Sequence, residues 1–298
     1  VKRGYPSDYS TAVQAVGGTL GIIIPRSIVF VIYGSTNGVS ISKLLMSGML
    51  PGILTAVVLC LYGYVVAKKE NFPKSFDQFS LKRVLKSLKG AVWALMMPLI
   101  ILGGIYGGIF TPTESAMIAC AYGLVVSFFV TKELTVKNFF DVVSKTAAST
   151  ANVTVMFLAA QVFGFLIAYY DITTTIANFF VAVSPNWIIF MGLVFILLTI
   201  TGMFMEVGAT NVILSPLLAP VAAAFGIDPI HFGMVFVFLL ALGQATPPFG
   251  STMFIACGIS GERVVIRRLL PFVLVEYACA LVFAYVPWFS TFLPSLMA

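Results

Sequence analysis

Two short stretches bring together residue types that rarely meet inside an apolar run. Gly17-Gly18-Thr19-Leu20-Gly21-Ile22-Ile23-Ile24-Pro25-Arg26-Ser27 and Gly243-Gln244-Ala245-Thr246-Pro247-Pro248-Phe249-Gly250 each set glycine, proline and hydroxyl residues in the middle of a hydrophobic segment. Proline removes a helix hydrogen bond and clashes with the preceding turn, while glycine tolerates the conformations that follow. In hydrocarbon the freed backbone groups must find partners, so a broken helix persists only where it is buried or lines a polar cavity. The chemistry on offer is that of hard oxygens. Carbonyls near Gly18 and Gly243, with the hydroxyls of Thr19 and Thr246, suit a sodium ion, and opposed half-helix N-termini present N–H groups and partial positive charge to an anion.

The elements around these breaks repeat. Gly38-Val39-Ser40, followed by Lys43 and Pro51, matches Gly258-Ile259-Ser260, followed by Arg263 and Pro271, about 220 residues further on. Apolar segments run roughly 12–34, 49–67, 90–110, 115–130, 150–170, 187–225, 231–257 and 269–294. Residues 68–89 hold seven basic residues against only Glu70 and Asp77, and alternate basic with apolar positions. They predict an amphipathic connector on the cytoplasmic surface. Counting crossings from there puts Lys132, Lys137, Lys145, Arg263, Arg267 and Arg268 inside, with Lys2 and Arg3, and puts the C-terminus outside. Segment 12–34 then runs outward and its counterpart 231–257 inward, so the repeats are inverted. The long run Trp187 to Phe225 either crosses twice or re-enters as a hairpin, and charge counting cannot separate the two. Paired interruptions in two halves point to a transporter site; the competing reading is that the glycines and prolines only kink or pack helices.

Composition narrows the class. Hydrophobic residues make up 60% of 298 positions and charged residues 9%, against about 25% charged in a soluble domain. Mean hydropathy is +1.04. The expectation is one all-α polytopic membrane domain over 1–298 with inverted repeats, broken helices and a re-entrant hairpin. The net charge of +6 sits in short loops, as membrane orientation requires, which argues against nucleic acid. Cys60, Cys120, Cys257 and Cys279 lie singly, without metal-ligand spacing, and read as small buried hydrophobes. One histidine near an interface and no paired intramembrane carboxylates leave an enzyme without its parts. A channel would filter through rings of carbonyls or charges around an open pore, whereas inverted repeats with paired breaks suit alternating access.

The sequence resembles the large membrane subunit of tripartite ATP-independent periplasmic (TRAP) transporters, within the ion-transporter superfamily. The resemblance rests on Lys2-Arg3-Gly4-Tyr5, on Gly18 to Pro25, on Gly103-Gly104-Ile105-Tyr106-Gly107-Gly108-Ile109-Phe110-Thr111-Pro112-Thr113-Glu114, on Gly202-Met203-Phe204-Met205-Glu206, on Gly226 to Gly233 and on Thr246-Pro247-Pro248. It implies a sodium-coupled elevator transporter of the bacterial inner membrane importing small organic anions such as sialic acid or C4-dicarboxylates. A small four-helix membrane subunit would brace the scaffold, and a periplasmic binding protein would deliver the substrate. A stand-alone sodium–dicarboxylate symporter of the same superfamily is the alternative. The resemblance makes Gly202 to Thr210 the tip of the second hairpin, facing the break at Gly243, Thr246, Pro247 and Gly250. It also places a first hairpin just before Val1. The implied sodium and substrate site draws on Gly18, Thr19, Gly21, Pro25, Arg26 and Ser27 from the first break, and on Gly202, Glu206, Gly208 and Thr210 from the tip.

Arg26 departs from the family pattern, which carries a second proline there. An arginine in a broken membrane helix either grips a substrate carboxylate bidentately or snorkels to an interface or an acid. Glu206, in mid-run, needs a hydrogen bond within the site or a cation. Glu114 reads as a helix-start signal after Thr111 and Pro112. Glu276 is expected to hydrogen-bond to a neighbouring helix, His231 to start a helix or sit at an interface, and Trp187, Trp288, Tyr169 and Tyr170 to anchor at the outer surface.

Overall fold

A computed structural model describes residues 5–24, 27–72, 81–107, 109–263 and 265–297, and among them the chain is entirely helical, with fourteen α-helices and no strand. The chain forms two compact units, Val1–Pro73 with Met156–Ala298, and Lys74–Val155.

The first unit contains both repeats. In the first, α1 (Ser7–Ile23, 17 residues) is followed by α2 (Ile28–Asn37, 10 residues), α3 (Ile41–Ser47) and α4 (Met49–Lys69, 21 residues). The second repeat will be called α11 (Pro229–Gly243, 15 residues), α12 (Ser251–Ser260, 10 residues) and α13 (Ile266–Tyr285, 20 residues) from its place in the chain. Each repeat is thus a long half-helix, an interruption, a ten-residue half-helix and a full-length helix. The long half of each repeat packs on the short half of the other, α1 on α12 and α11 on α2.

The residue-level match is displaced by one turn. Gly38 ends α2 with φ +66, but its counterpart at the end of α12 is Gly261, with φ +72, while Gly258 and Ser260 lie within that helix. Only the residue just past a helix end needs the left-handed conformation that favours glycine, so function in the fold, not letter order, fixes the pairing.

At the centre lies α11. Every residue from His231 to Gly243 is buried, as a helix apolar on all sides requires. Around it, α1 and α12 join α13 through Ala12, Val16, Met253, Leu269 and Phe272. At one end Arg268 ties α13 to α1 and α4, donating to Asp8 at 3.0 Å and to Glu70. Such half-exposed pairs contribute ~0–1 kcal/mol each. At the other end Asp228 caps α11, and His231, in its first turn, sits 2.7 Å (Nδ1) from Ser290 Oγ and 3.1 Å (Nε2) from the Ala284 carbonyl. His231 is a buried packing residue between α11 and α14 (Trp288–Ser295). Trp288, Tyr169 and Tyr170 are exposed.

The second unit holds α5 (Leu81–Tyr106), α6 (Pro112–Val125) and a π-helical turn at Val126–Val130; the chain then enters α7 (Val136–Tyr169), within which the unit boundary falls. The reading of Glu114 holds: Thr111 and Glu114 form a reciprocal capping box, with Pro112 in the first turn. Tyr122 donates to the Trp93 carbonyl at 2.8 Å, fastening α6 to α5. Of the expected connector 68–89, residues 73–80 lie outside the described residues, and 81–89 are the start of α5.

Among the described residues, six stretches are long and apolar enough to cross a membrane, including Ile41–Lys69, Trp187–Phe204, Val207–Ala224 and Ile266–Tyr285. One sequence expectation needs correction. Cys257 is buried, but Cys60 and Cys120 are exposed and Cys279 is half-buried, because they lie on apolar helix faces that this chain does not itself cover.

Candidate functional site

The run Trp187 to Phe225 folds as two helices of 18 residues, α9 (Trp187–Phe204) and α10 (Val207–Ala224), joined by Met205 and Glu206 and preceded by α8 (Ile172–Val183). Its two ends meet: Phe190, near the start of α9, stacks on Phe225, past the end of α10, at 4.9 Å. Phe190 also stacks on Phe232 at the start of α11, at 6.2 Å. At the far end Gly202 touches Gly243. Helix α9 therefore runs alongside α11 from start to finish, and the hairpin turns beside the second break.

Glycine is required at that crossing. A β-carbon on Gly243 would lie 2.5 Å from the Gly202 backbone, and one on Gly202 would lie 3.1 Å from Gly243 Cα. Gln244 then clamps the tip. Its Nε2 donates to the carbonyls of Gly202 at 3.1 Å and Met205 at 2.9 Å. Its Oε1 accepts from the Ser251 hydroxyl at the start of α12. Its own carbonyl accepts from Thr252 Oγ1 at 2.7 Å. One side chain thereby joins the residue before the α10 cap to the first residue of α12, so two helix N-termini converge. A third approaches them: Asn211, one turn into α10, donates to the Val29 carbonyl at the start of α2 at 2.9 Å. Ser27 caps α2 by accepting from Phe30 N at 3.3 Å.

Glu206 is exposed, and its Oε2 accepts from Ala209 N at 2.9 Å, capping α10. The hydrogen bond expected of it is thus made within its own helix start. Gly208 and Thr210 are buried behind it, Thr210 donating to the Glu206 carbonyl at 2.9 Å.

The break at 244–250 is tightly wound. Thr246 donates to the Leu242 carbonyl at 2.8 Å and lies 3.0 Å from the Tyr277 hydroxyl. Gly250 has no room for a β-carbon, which would stand 2.6 Å from the Gln244 carbonyl. Pro247 lies in the same turn. In the first repeat, Thr19 Oγ1 sits 2.6 Å from both the Val16 carbonyl and Glu276 Oε1. Gly18 faces Thr252 across the repeat interface, whereas Gly21 faces open space. Pro25 and Arg26 lie outside the described residues.

The structure brings Gly202, Gly243, Thr246 and Gly250 into one place, with Gly18 against the same short helix. It adds Gln244 and Asn211, which sequence reasoning passed over. Of the carbonyls gathered there, those of Leu242 and Gln244 each accept two hydrogen bonds, while that of Gly243 accepts one, from Thr246 N at 3.0 Å, and keeps a second lone pair for a cation.

Comparison with known proteins agrees with this architecture. Residues 1–289 match the family described as the tripartite ATP-independent periplasmic transporter, DctM component. The chain is 39% identical over 289 residues to the isethionate TRAP transporter permease protein DctMQ of Oleidesulfovibrio alaskensis, covering 96% of this chain and 46% of that protein. It is 35% identical to the C4-dicarboxylate TRAP transporter large permease protein DctM of Vibrio cholerae, covering 100% and 70%. To the sialic acid TRAP transporter permease protein SiaT of Haemophilus influenzae it is 33% identical, covering 99% and 48%. The chain thus spans about half the length of two of these relatives and 70% of the third. With the family match running almost from end to end, this multi-pass membrane protein belongs to the DctM family, the large permease component of TRAP transporters.

Proposed function

We propose that the chain is the core of a sodium-coupled permease subunit that imports a small organic anion delivered by a periplasmic binding protein. The observation that carries this reading is Gln244, which draws the N-termini of α10 and α12 to one point beside the crossing of Gly202 and Gly243. Helix N-termini favour a carboxylate or sulfonate through their free N–H groups and dipoles. The relatives' names give isethionate, C4-dicarboxylates and sialic acid, all anions of that kind.

Sodium would be held by carbonyl oxygens of the two breaks, with Thr19 and Thr246 beside them, and would neutralise the charge carried inward with the substrate. The hairpin and the two broken helices share one compact unit, which supports an elevator in which they move together past a scaffold braced by a small four-helix membrane subunit. The protein would lie in the inner membrane with its C-terminus periplasmic, an orientation that the clustering of basic residues in alternate loops supports.

The test is uptake by cells that carry the full-length subunit and its small partner in place of their own uptake system. Removing the binding protein gene should abolish saturable uptake of the labelled anion, and replacing sodium with potassium should do the same. Uptake that survives loss of the binding protein would contradict the reading.

A further inference from the structure

We propose that Glu276 and Tyr277, adjacent residues on α13, are positioning residues that couple the two breaks, so that ion occupancy at one is felt at the other. This inference rests on the function proposed above and adds a mechanism to it.

Consecutive residues on a helix point about 100° apart and cannot serve the same neighbour. Here they serve the two repeats separately. Glu276 reaches α1 of the first repeat, 2.6 Å from Thr19 Oγ1, four residues before the end of that half-helix. Tyr277 reaches the break of the second repeat, 3.0 Å from Thr246 Oγ1. Between them runs a 20-residue helix with no interruption in this region. The first half-helix, one turn before its break, and the second break are thus fixed to adjacent points of one rod.

Packing alone does not call for this arrangement. Glu276 and Thr19 are both 0% exposed. Glu276 Oε2 has no hydrogen-bond partner among the described residues. A buried, half-satisfied carboxyl is costly, and an apolar side chain of similar size would fill the position at no such cost. Thr19 would still have the Val16 carbonyl at 2.6 Å to donate to. What only the carboxyl supplies is the directional link from α13 to the first broken helix. The equivalent link to the second break is the Tyr277 hydroxyl.

The experiment is a sodium titration of anion uptake in proteoliposomes holding the full-length subunit, its small partner and binding protein. The variants are Glu276→Leu, Glu276→Gln, Tyr277→Phe and the double variant Glu276→Leu/Tyr277→Phe, each also measured for thermal unfolding. Glu276→Leu and Tyr277→Phe should each raise half-saturating sodium about three- to tenfold, the weight of one lost hydrogen bond, and flatten the sodium dependence. Glu276→Gln, which keeps a polar contact to Thr19, should restore most of it. Because both changes act through α13, the double variant should shift sodium less than the product of the single shifts. Glu276→Leu should unfold no earlier than the parent. Single shifts that multiply, or a Glu276→Leu protein that unfolds early with an unchanged sodium response, would overturn the coupling and leave a structural role. If Glu276→Leu does not accumulate, the comparison of Tyr277→Phe with Glu276→Gln carries the test: a steep parental sodium dependence in Tyr277→Phe overturns the proposal. Parental uptake that needs no sodium would instead remove the function on which the inference rests.

Discussion

A β-carbon on Gly243 would stand 2.5 Å from the Cα of Gly202. Backbone meets backbone there, so neither side can yield by a rotamer change. Gly243→Ala should push the hairpin tip off α11 and reduce uptake at least about tenfold, in line with the ~1–3 kcal/mol that overpacking a close contact costs. Gly202→Ala, whose nearest contact is 3.1 Å, should be milder. Initial uptake rates at matched protein levels check the order, and equal rates for the two would show that the crossing is not tight.

Gln244 holds two carbonyls of the tip, those of Gly202 and Met205. Gln244→Leu leaves both without their donor and should lower unfolding stability by about 1–3 kcal/mol. Gln244→Glu keeps the shape but lacks the amide donor, so it should resemble Leu rather than the parent. Thermal unfolding of the purified proteins in one detergent measures the difference.

How much of this was legible beforehand depends on whether a signal is local. The break at Gly243 to Gly250 could be read because proline and glycine act on their own backbone. Of the first, read over Gly17 to Ser27, residues 17–23 are helical and the interruption falls after Ile23, because glycines inside a buried helix need not break it. Gln244 could not, because an amide beside a glycine says nothing of carbonyls some forty residues away. Asn211 was silent for the same reason: its partner, the Val29 carbonyl, is 182 residues distant. Charge counting could not choose between two crossings and a hairpin for 187–225. The stacking of Phe190 on Phe225, which closes the antiparallel pair of α9 and α10, is a tertiary fact that fits either course. The one-turn error between Gly258 and Gly261 came from matching letters where a helix end was the true landmark.

Glu206 caps α10 through Ala209 N and lies beside the proposed ion site. Glu206→Asn keeps an acceptor in a good capping residue but removes the charge. Half-saturating sodium should rise several-fold, because a carboxylate near a bound cation is worth about 1 kcal/mol even where water screens it. Stability should change little, since the cap survives. An unchanged sodium response would reduce Glu206 to a cap.

Orientation is checked by single cysteines in a background without the four native ones. Ser295→Cys, near the end of α14, should react with a membrane-impermeant maleimide added outside intact spheroplasts. Lys69→Cys, at the end of α4, should react only after the membrane is opened. The reverse pattern would invert the topology.

Sodium-coupled, binding-protein-dependent transport can be measured as uptake into proteoliposomes made from the full-length subunit and its small partner, with a panel of labelled carboxylates and sulfonates. One anion class should accumulate, and only when an inward sodium gradient and the cognate binding protein are both present. Uptake without the binding protein would contradict it in favour of a self-sufficient symporter, and sodium-independent flux that never saturates would contradict transport by a carrier altogether.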